Sequence, residues 1–301
     1  MHTSNLKRYI RPWTLPIAMI GGILLHEHIG KVAFLSPFLI FIMLTITYCK
    51  VSFRELKPSK FTAILLSMQL VGAITIYFAI RPLSEIVAQG TFICMFCPTA
   101  TAAPVITGML GGSVARLATF SLFSNVTVAL LSPILLTYIG DLDDNSSFIQ
   151  STIMVGQRVL PLLILPLATA FIIKRISPKL HTIIIDYQSI SFYIWAVALF
   201  IVVGNAVSFV LTEPIERIPE MLAIAMSSLA VCCIQFWSGR RIGTIYGDKI
   251  AGAQGLGQKN TILAIWLSLT YLHPIAAVGP ASYILWQNTI NSLQLYDKKN
   301  N

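Results

Sequence analysis

An all-α membrane protein of ten transmembrane helices, built as two inverted five-helix repeats, is what this sequence predicts. Three observations carry that prediction. The 301 residues are 55% hydrophobic and only 11% charged, with a mean hydropathy of +0.76, whereas soluble domains carry about 25% charged residues. Uncharged apolar runs recur at the length that crosses a bilayer, about 20 residues. Lys and Arg gather at alternate ends of those runs, as the positive-inside rule requires. A chain this poor in charge could not cover a water-facing surface, which excludes a soluble enzyme, a nucleic-acid-binding protein and a disordered chain. Five cysteines in 301 residues do not form a disulfide framework.

The spans follow in order along the chain. The first apolar run starts after Arg11 and has no small-residue cleavage site before polar sequence, so it reads as a short span, Trp13–Leu25, and not as a cleaved signal. The second is Val32–Cys49. The third, Phe61–Ile80, is 20 residues without a charge. The uncharged run Ile86–Ala115, 30 residues, contains the fourth span, Ile86–Gly111. Leu117–Gly140, 24 uncharged residues, underlies the fifth, Val114–Ile139. The sixth is Phe148–Ile173. Tyr187–Thr212, 26 residues, holds the seventh, Ser189–Leu211, and Met221–Gly239, 19 residues, lies within the eighth, Pro219–Trp237, and just beyond it. Asn260–Tyr296 is uncharged for 37 residues and turns at His273-Pro274, giving parts of a ninth span, Ile250–Tyr271, and a tenth, Ile275–Leu295.

Charge placement tests this count. With the N-terminus cytoplasmic, 16 of the 21 Lys and Arg residues fall in inner segments, among them Lys7, Arg8, Arg54, Lys57, Lys60, Arg116, Lys174, Arg240, Arg241 and Lys249. Lys31, Arg81 and Arg217 fall outside, where acids such as Asp141, Asp143, Glu213 and Glu220 also gather. The net charge of +9 is therefore a topology signal, and it places a multi-pass protein in the cell (plasma or inner) membrane with both termini cytoplasmic. Arg158 and Lys259 fit neither side. They stand within spans.

Five spans is an odd number, so a second set of five runs opposite to the first: repeat one over residues 1–140 and repeat two over 148–301. The fourth span of each set is interrupted. The first reads Cys97-Pro98-Thr99-Ala100-Thr101-Ala102-Ala103-Pro104, in which two prolines each remove a donor and clash with the preceding turn. The second reads Gly252-Ala253-Gln254-Gly255-Leu256-Gly257-Gln258-Lys259-Asn260, with three glycines that each weaken a helix by about 1 kcal/mol. Backbone groups freed in lipid must find protein, ion or water partners. Matched broken helices are where secondary transporters place their binding sites, so the two interruptions are expected to cross and frame a cargo site.

These features resemble the bile acid:sodium symporter family. The resemblance rests on the Cys-Pro-Thr-Ala-Thr-Ala-Ala-Pro fourth span and on Gln254-x-x-x-Gln258 in the ninth. It extends to Gly279-Pro280-Ala281-Ser282 and Trp286-Gln287-Asn288 in the tenth span and to Leu160-Pro161-Leu162 in the sixth. It implies a core of spans 3–5 and 8–10 holding two crossed broken helices, a panel of spans 1, 2, 6 and 7, and an organic anion carried between them by alternating access. Sodium-coupled members carry a Ser-Asn pair beside the first break, where this chain has Ala103 and Pro104. They begin the ninth-span motif with Glu, here Gln254, and follow the retained Gln258 with Asn, here Lys259. Gln69 matches a polar sodium-site position, and Ser124 and Thr127 correspond to others. Sodium prefers oxygen ligands that include a charge. Loss of the carboxylate beside a new ammonium therefore predicts sodium-independent transport.

Two intramembrane cations complete the expected site. Arg158 lies ten residues into the sixth span, about 15 Å deep at helical rise, where an isolated charge costs about 2.5 kcal/mol or more. It is expected to face the protein interior and help hold the anion, against a hydrogen bond to helix carbonyls or a snorkel to the surface. Lys259 lies about 14 Å into the ninth span and is expected to be the fixed positive charge of the core. A permanently charged Lys259 gives a uniporter or exchanger, and a titrating one adds protons as a coupling partner. A lysine that only ties broken-helix carbonyls together is the plainer alternative. Thr101 and Asn288 are further candidates to line the cavity.

Other motifs read as packing. Cys94-x-x-Cys97 sits within a span without a second Cys pair, His26-Glu27-His28 lacks zinc-protease spacing, and Trp195, Trp237 and Trp266 suit interfacial or core positions. No Ser-His, HExxH or paired-Asp constellation lies at membrane depth, so no enzyme and no cofactor is expected. The partners implied are a small organic anion, bile-acid-like or another carboxylate, and the lipid bilayer. A conventional sodium-coupled symporter and a non-transporting sensor on the same fold stay open. The sensor lacks an appended signalling domain in this sequence.

Overall fold

The structure, a computed structural model, describes residues 14–49, 57–100, 103–140, 147–186, 189–212 and 214–300. Thr101, the basic residues before Thr14, Arg54 and the acids Asp141, Asp143 and Glu213 lie outside the described residues.

Helices occur in the order α1 (Thr14–Leu24), α2 (His26–Ile29), α3 (Ser36–Cys49), α4 (Lys60–Ile80), α5 (Glu85–Phe96), α6 (Ala103–Leu110) and α7 (Val114–Ile139). They continue with α8 (Phe148–Ile176), α9 (Pro178–Asp186), α10 (Ser189–Thr212), α11 (Ile218–Ile245), α12 (Lys249–Gly257), α13 (Thr261–Tyr271) and α14 (Val278–Asn300). Short 3-10 segments, Gly30–Leu35, Ile215–Arg217 and Pro274–Ala277, lead into α3, α11 and α14. Five stretches among the described residues are long and apolar enough to cross a bilayer: His26–Cys49, Lys60–Ile80, Val114–Ile139, Phe148–Ile176 and Ile215–Ile245. The chain is a multi-spanning all-α membrane protein.

Several spans depart from the sequence reading. The first does not, for its described helix, Thr14–Leu24, falls within the expected short span Trp13–Leu25. The second begins at His26, six residues before the expected Val32, because α2 and a 3-10 segment lead into α3. The eighth continues to Ile245 past Arg240 and Arg241, both exposed. The Arg241 guanidinium lies 5.6 Å from the centre of the Trp237 ring, an arrangement that holds a cation beside an aromatic residue. A charge ends an apolar run without ending a helix. The fourth and ninth spans are each two helices, α5 with α6 and α12 with α13.

Contacts gather the helices into two compact units, residues Met1–Lys50 with Leu165–Pro214, and Val51–Ile164 with Ile215–Asn301. In the first, α10 packs on α1, α2 and α3. Its buried Ala198, Leu199, Ile201, Val202 and Ala206 form the centre of that unit. Ser208 Oγ donates to the His26 carbonyl at 2.7 Å.

In the second unit α11 is the spine, packed by α12, α5 and α14. Gly239 and Gly252 bring α11 and α12 into backbone contact, and a Cβ on either residue would collide with the carbonyl oxygen of the other. The Asp248 carboxylate caps α12 through Ala251 N–H at 2.8 Å. Its second oxygen accepts from Ser113 N–H at 2.9 Å, which fixes the start of α7 against α12. That frame places the two interrupted helices.

Candidate functional site: the meeting of two helix breaks

The first break is written in the local sequence. Proline disfavours helical backbone at the residue before it. Cys97 accordingly leaves α5 in an extended conformation, with ψ 148°. The second break follows Gly257, where Gln258 is also extended, with φ −89° and ψ 109°. The two extended segments pair: Thr99 and Lys259 form an isolated antiparallel bridge. Ala100 N–H donates to the Gln258 carbonyl at 2.9 Å, and Asn260 N–H donates to the Pro98 carbonyl at 2.8 Å.

Buried side chains satisfy the carbonyls freed at the two breaks. Gln69, fully buried on α4, donates from Nε2 to the carbonyls of Phe96 at 2.7 Å and Cys97 at 3.1 Å. Its Oε1 accepts from Ser124 Oγ at 2.8 Å. Lys259, 1% exposed, donates from Nζ to the Met95 carbonyl at 2.9 Å. Gln235 of α11 donates to the Cys94 carbonyl at 3.3 Å and to Tyr283 Oη at 3.0 Å. On the other break, Thr99 Oγ1 donates to the Gly255 carbonyl at 2.8 Å and Tyr283 Oη to the Gly257 carbonyl at 2.9 Å. The α13 helix is restarted by Asn260, whose side chain accepts from Leu263 N–H.

The last carbonyls of a helix carry about half a negative charge. An ammonium on the Met95 carbonyl therefore stands where a cation is most favoured. The free, buried thiols Cys94, Cys97 and Cys232 lie within electrostatic reach of it. None of the hydrogen bonds described at the two breaks involves a carboxylate. The carbonyl oxygens of Met95, Phe96, Cys97, Gly255 and Gly257 each accept from a protein donor.

Compared with protein-family models and with curated proteins, the chain matches none.

The predicted residues sort by place. Gln69, Ser124 and Lys259 converge on the end of α5. Gln254 is fully buried on α12 and donates to Asn291 Oδ1 at 3.0 Å and to Gln294 Oε1 at 2.9 Å. Gln258 is buried, and its Oε1, like that of Gln254, has no hydrogen-bond partner among the described residues. Ala103 is buried at the start of α6, where its N–H donates to the Ala100 carbonyl at 3.2 Å. Pro104, Thr127 and Asn288 are half-buried. Arg158 lies on α8. Its side chain is exposed, beside the packed stripe of Val155, Val159 and Leu162 on α8 and not within it.

Sequence reasoning missed Thr99, Gln235, Tyr283 and Asn291 as site residues. One signal was available. Tyr283, Gln287 and Asn291 recur every four residues, which places them on one face of α14, and all three are buried. Gln287 Oε1 accepts from Lys259 N–H at 2.9 Å.

Proposed function

We propose that this protein is a secondary transporter of a small organic anion, a bile-acid-like molecule or another carboxylate, that works without sodium on a fold resembling the bile acid:sodium symporter family. One observation carries the reading: the Lys259 ammonium sits on the Met95 carbonyl at the point where two interrupted helices pair. In the sodium-coupled members that the sequence resembles, a carboxylate and mobile cations share this place. Here Gln254 removes the negative charge, and Lys259 supplies a cation that never leaves. The two changes offset each other.

The architecture supports the same reading. Interrupted helices are tolerated in membranes where they are buried in protein or line a cavity, and paired interruptions are a recurrent device of secondary transporters. Two compact units offer the bodies that alternating access needs. Arg158, accessible on α8, is the spare cation at span depth and serves to attract the carboxylate of the cargo. The chain does no covalent chemistry on that cargo and uses no cofactor.

The test is counterflow in proteoliposomes with a panel of labelled organic anions, under imposed sodium and pH gradients in turn. Saturable exchange of at least one carboxylate in sodium-free buffer is expected. Stimulation by the pH gradient that Lys259→Asn abolishes identifies Lys259 as titrating during the cycle, and indifference to the gradient identifies an exchanger or uniporter. Absence of exchange for the whole panel would favour a sensor on the same fold.

A further inference from the structure

We propose that a basic cavity at the start of α4 and α7 is a binding site for a phosphate group, supplied by an anionic lipid or by a free phosphate ion. The cavity holds about 430 Å³ and is lined by Lys57, Lys60 and Arg116 together with Ser59, Phe61 and Tyr246, among others. All of it lies within one compact unit. No carboxylate among the described residues lines it.

Its electrostatics are unbalanced without an anion. Lys60 is the first residue of α4, and Arg116 lies in the first turn of α7. Helix N-termini carry partial positive charge and disfavour cations. Neither first turn holds an acidic residue. The ion pairs among the described residues are Arg81–Glu85 and Arg217–Glu220, so none of the three cavity cations has a carboxylate partner there. Asp248, on the neighbouring turn, is committed to the N–H groups of Ser113 and Ala251. Three cations and two helix starts converge there, and among the described residues no carboxylate pairs with any of the three.

The geometry selects a phosphate. Arg116 is fixed by one hydrogen bond, from Nη1 to the Tyr246 carbonyl at 2.6 Å. A guanidinium has five N–H donors, so the remaining ones are held in place for bidentate recognition of a phosphate. The lysines, both exposed, add point charges for an ion of about −1 to −2. Ser59 adds a hydroxyl at the rim. Phe61 and Tyr246, with ring centres 6.1 Å apart, give the cavity an aromatic wall. The site opens at the ends of two membrane-crossing helices, the level at which lipid phosphates lie. Basic pockets between such helices bind anionic lipid headgroups.

The test uses the full chain purified in neutral detergent. Binding of phosphatidylglycerol, phosphatidylcholine and inorganic phosphate is measured by native mass spectrometry and by titration, for the wild type, Lys57→Gln and Lys57→Gln/Lys60→Gln. The side chains of both lysines make no hydrogen bond among the described residues, so thermal unfolding of the variants should match the wild type. Saturable phosphatidylglycerol binding in preference to phosphatidylcholine, with no phosphate binding, identifies a lipid site. Saturable phosphate binding alone identifies a free-anion site. In either case affinity falls about fivefold for the single variant and about 30-fold for the double variant, and it weakens with added salt. The proposal is overturned if phosphatidylcholine binds as tightly as phosphatidylglycerol and phosphate does not bind. It is equally overturned if neither anion binds, or if the double variant retains wild-type affinity.

Discussion

Replacing Gln69 by leucine should unfold the core of the helix breaks at lower temperature without changing its volume much. The side chain is fully buried and makes three hydrogen bonds, to the carbonyls of Phe96 and Cys97 and from the hydroxyl of Ser124. Each buried group left without a partner costs about 1–3 kcal/mol, while the added apolar burial returns about 1 kcal/mol. For the three groups the net loss is about 2–8 kcal/mol, against total stabilities of about 5–15 kcal/mol for folded domains. For a chain of this size the midpoint should fall by about 5–10 °C. The cysteines provide the assay. Cys233 is exposed, and Cys49, Cys94, Cys97 and Cys232 are buried, so a thiol-reactive fluorophore reads the burst of reactivity on unfolding. Ser124→Ala leaves both carbonyl caps in place and should cost only about 1–2 kcal/mol. A Gln69→Leu midpoint within a degree of the wild type, or a Ser124→Ala loss as large as that of Gln69→Leu, would refute the capping argument.

Other consequences can be measured alongside. Gly252→Val drives a side chain into the Gly239 carbonyl and should abolish the folded, monodisperse peak in size-exclusion chromatography. Tyr283→Phe removes the donor to the Gly257 carbonyl and the acceptor of Gln235 and should lower stability by about 1–3 kcal/mol in the thiol assay. Ser84 Oγ donates to the Glu220 carboxylate at 2.7 Å, and Arg217 donates to its other oxygen at 2.7 Å. A Ser84→Ala/Glu220→Gln double-mutant cycle should therefore return a coupling of about 0.5–3 kcal/mol, and additivity would contradict that contact.

Parts of this structure were legible residue by residue. The span Val114–Ile139 was readable because uncharged apolar sequence and a helix coincide there, with the serine cap Ser113 before it and Gly140 after it. The breaks were readable because Pro98 and the glycines around Gln254 oppose helix by local chemistry alone. The length of α11 was not. Arg240 and Arg241 end the apolar run, yet the helix continues because its glycine face docks on α12, a contact that hydropathy cannot express. The partners of Lys259 required the fold. Met95 is 164 residues away in sequence, and only the pairing of the two extended segments brings it near. The polar face of α14 carries a helical repeat, Tyr283, Gln287 and Asn291, that the sequence shows directly.

The central claim is that a lysine has taken the place of mobile cations at the helix breaks. It is tested most directly by initial rates of anion uptake into proteoliposomes, with sodium and in its absence, for the wild type and Lys259→Asn. The account predicts wild-type uptake that is indifferent to sodium, and an asparagine variant that loses sodium-free uptake by about tenfold or more because the Met95 carbonyl and the α5 terminus lose their cation. Wild-type uptake that rises steeply with sodium would contradict the account, as would full sodium-free uptake by Lys259→Asn.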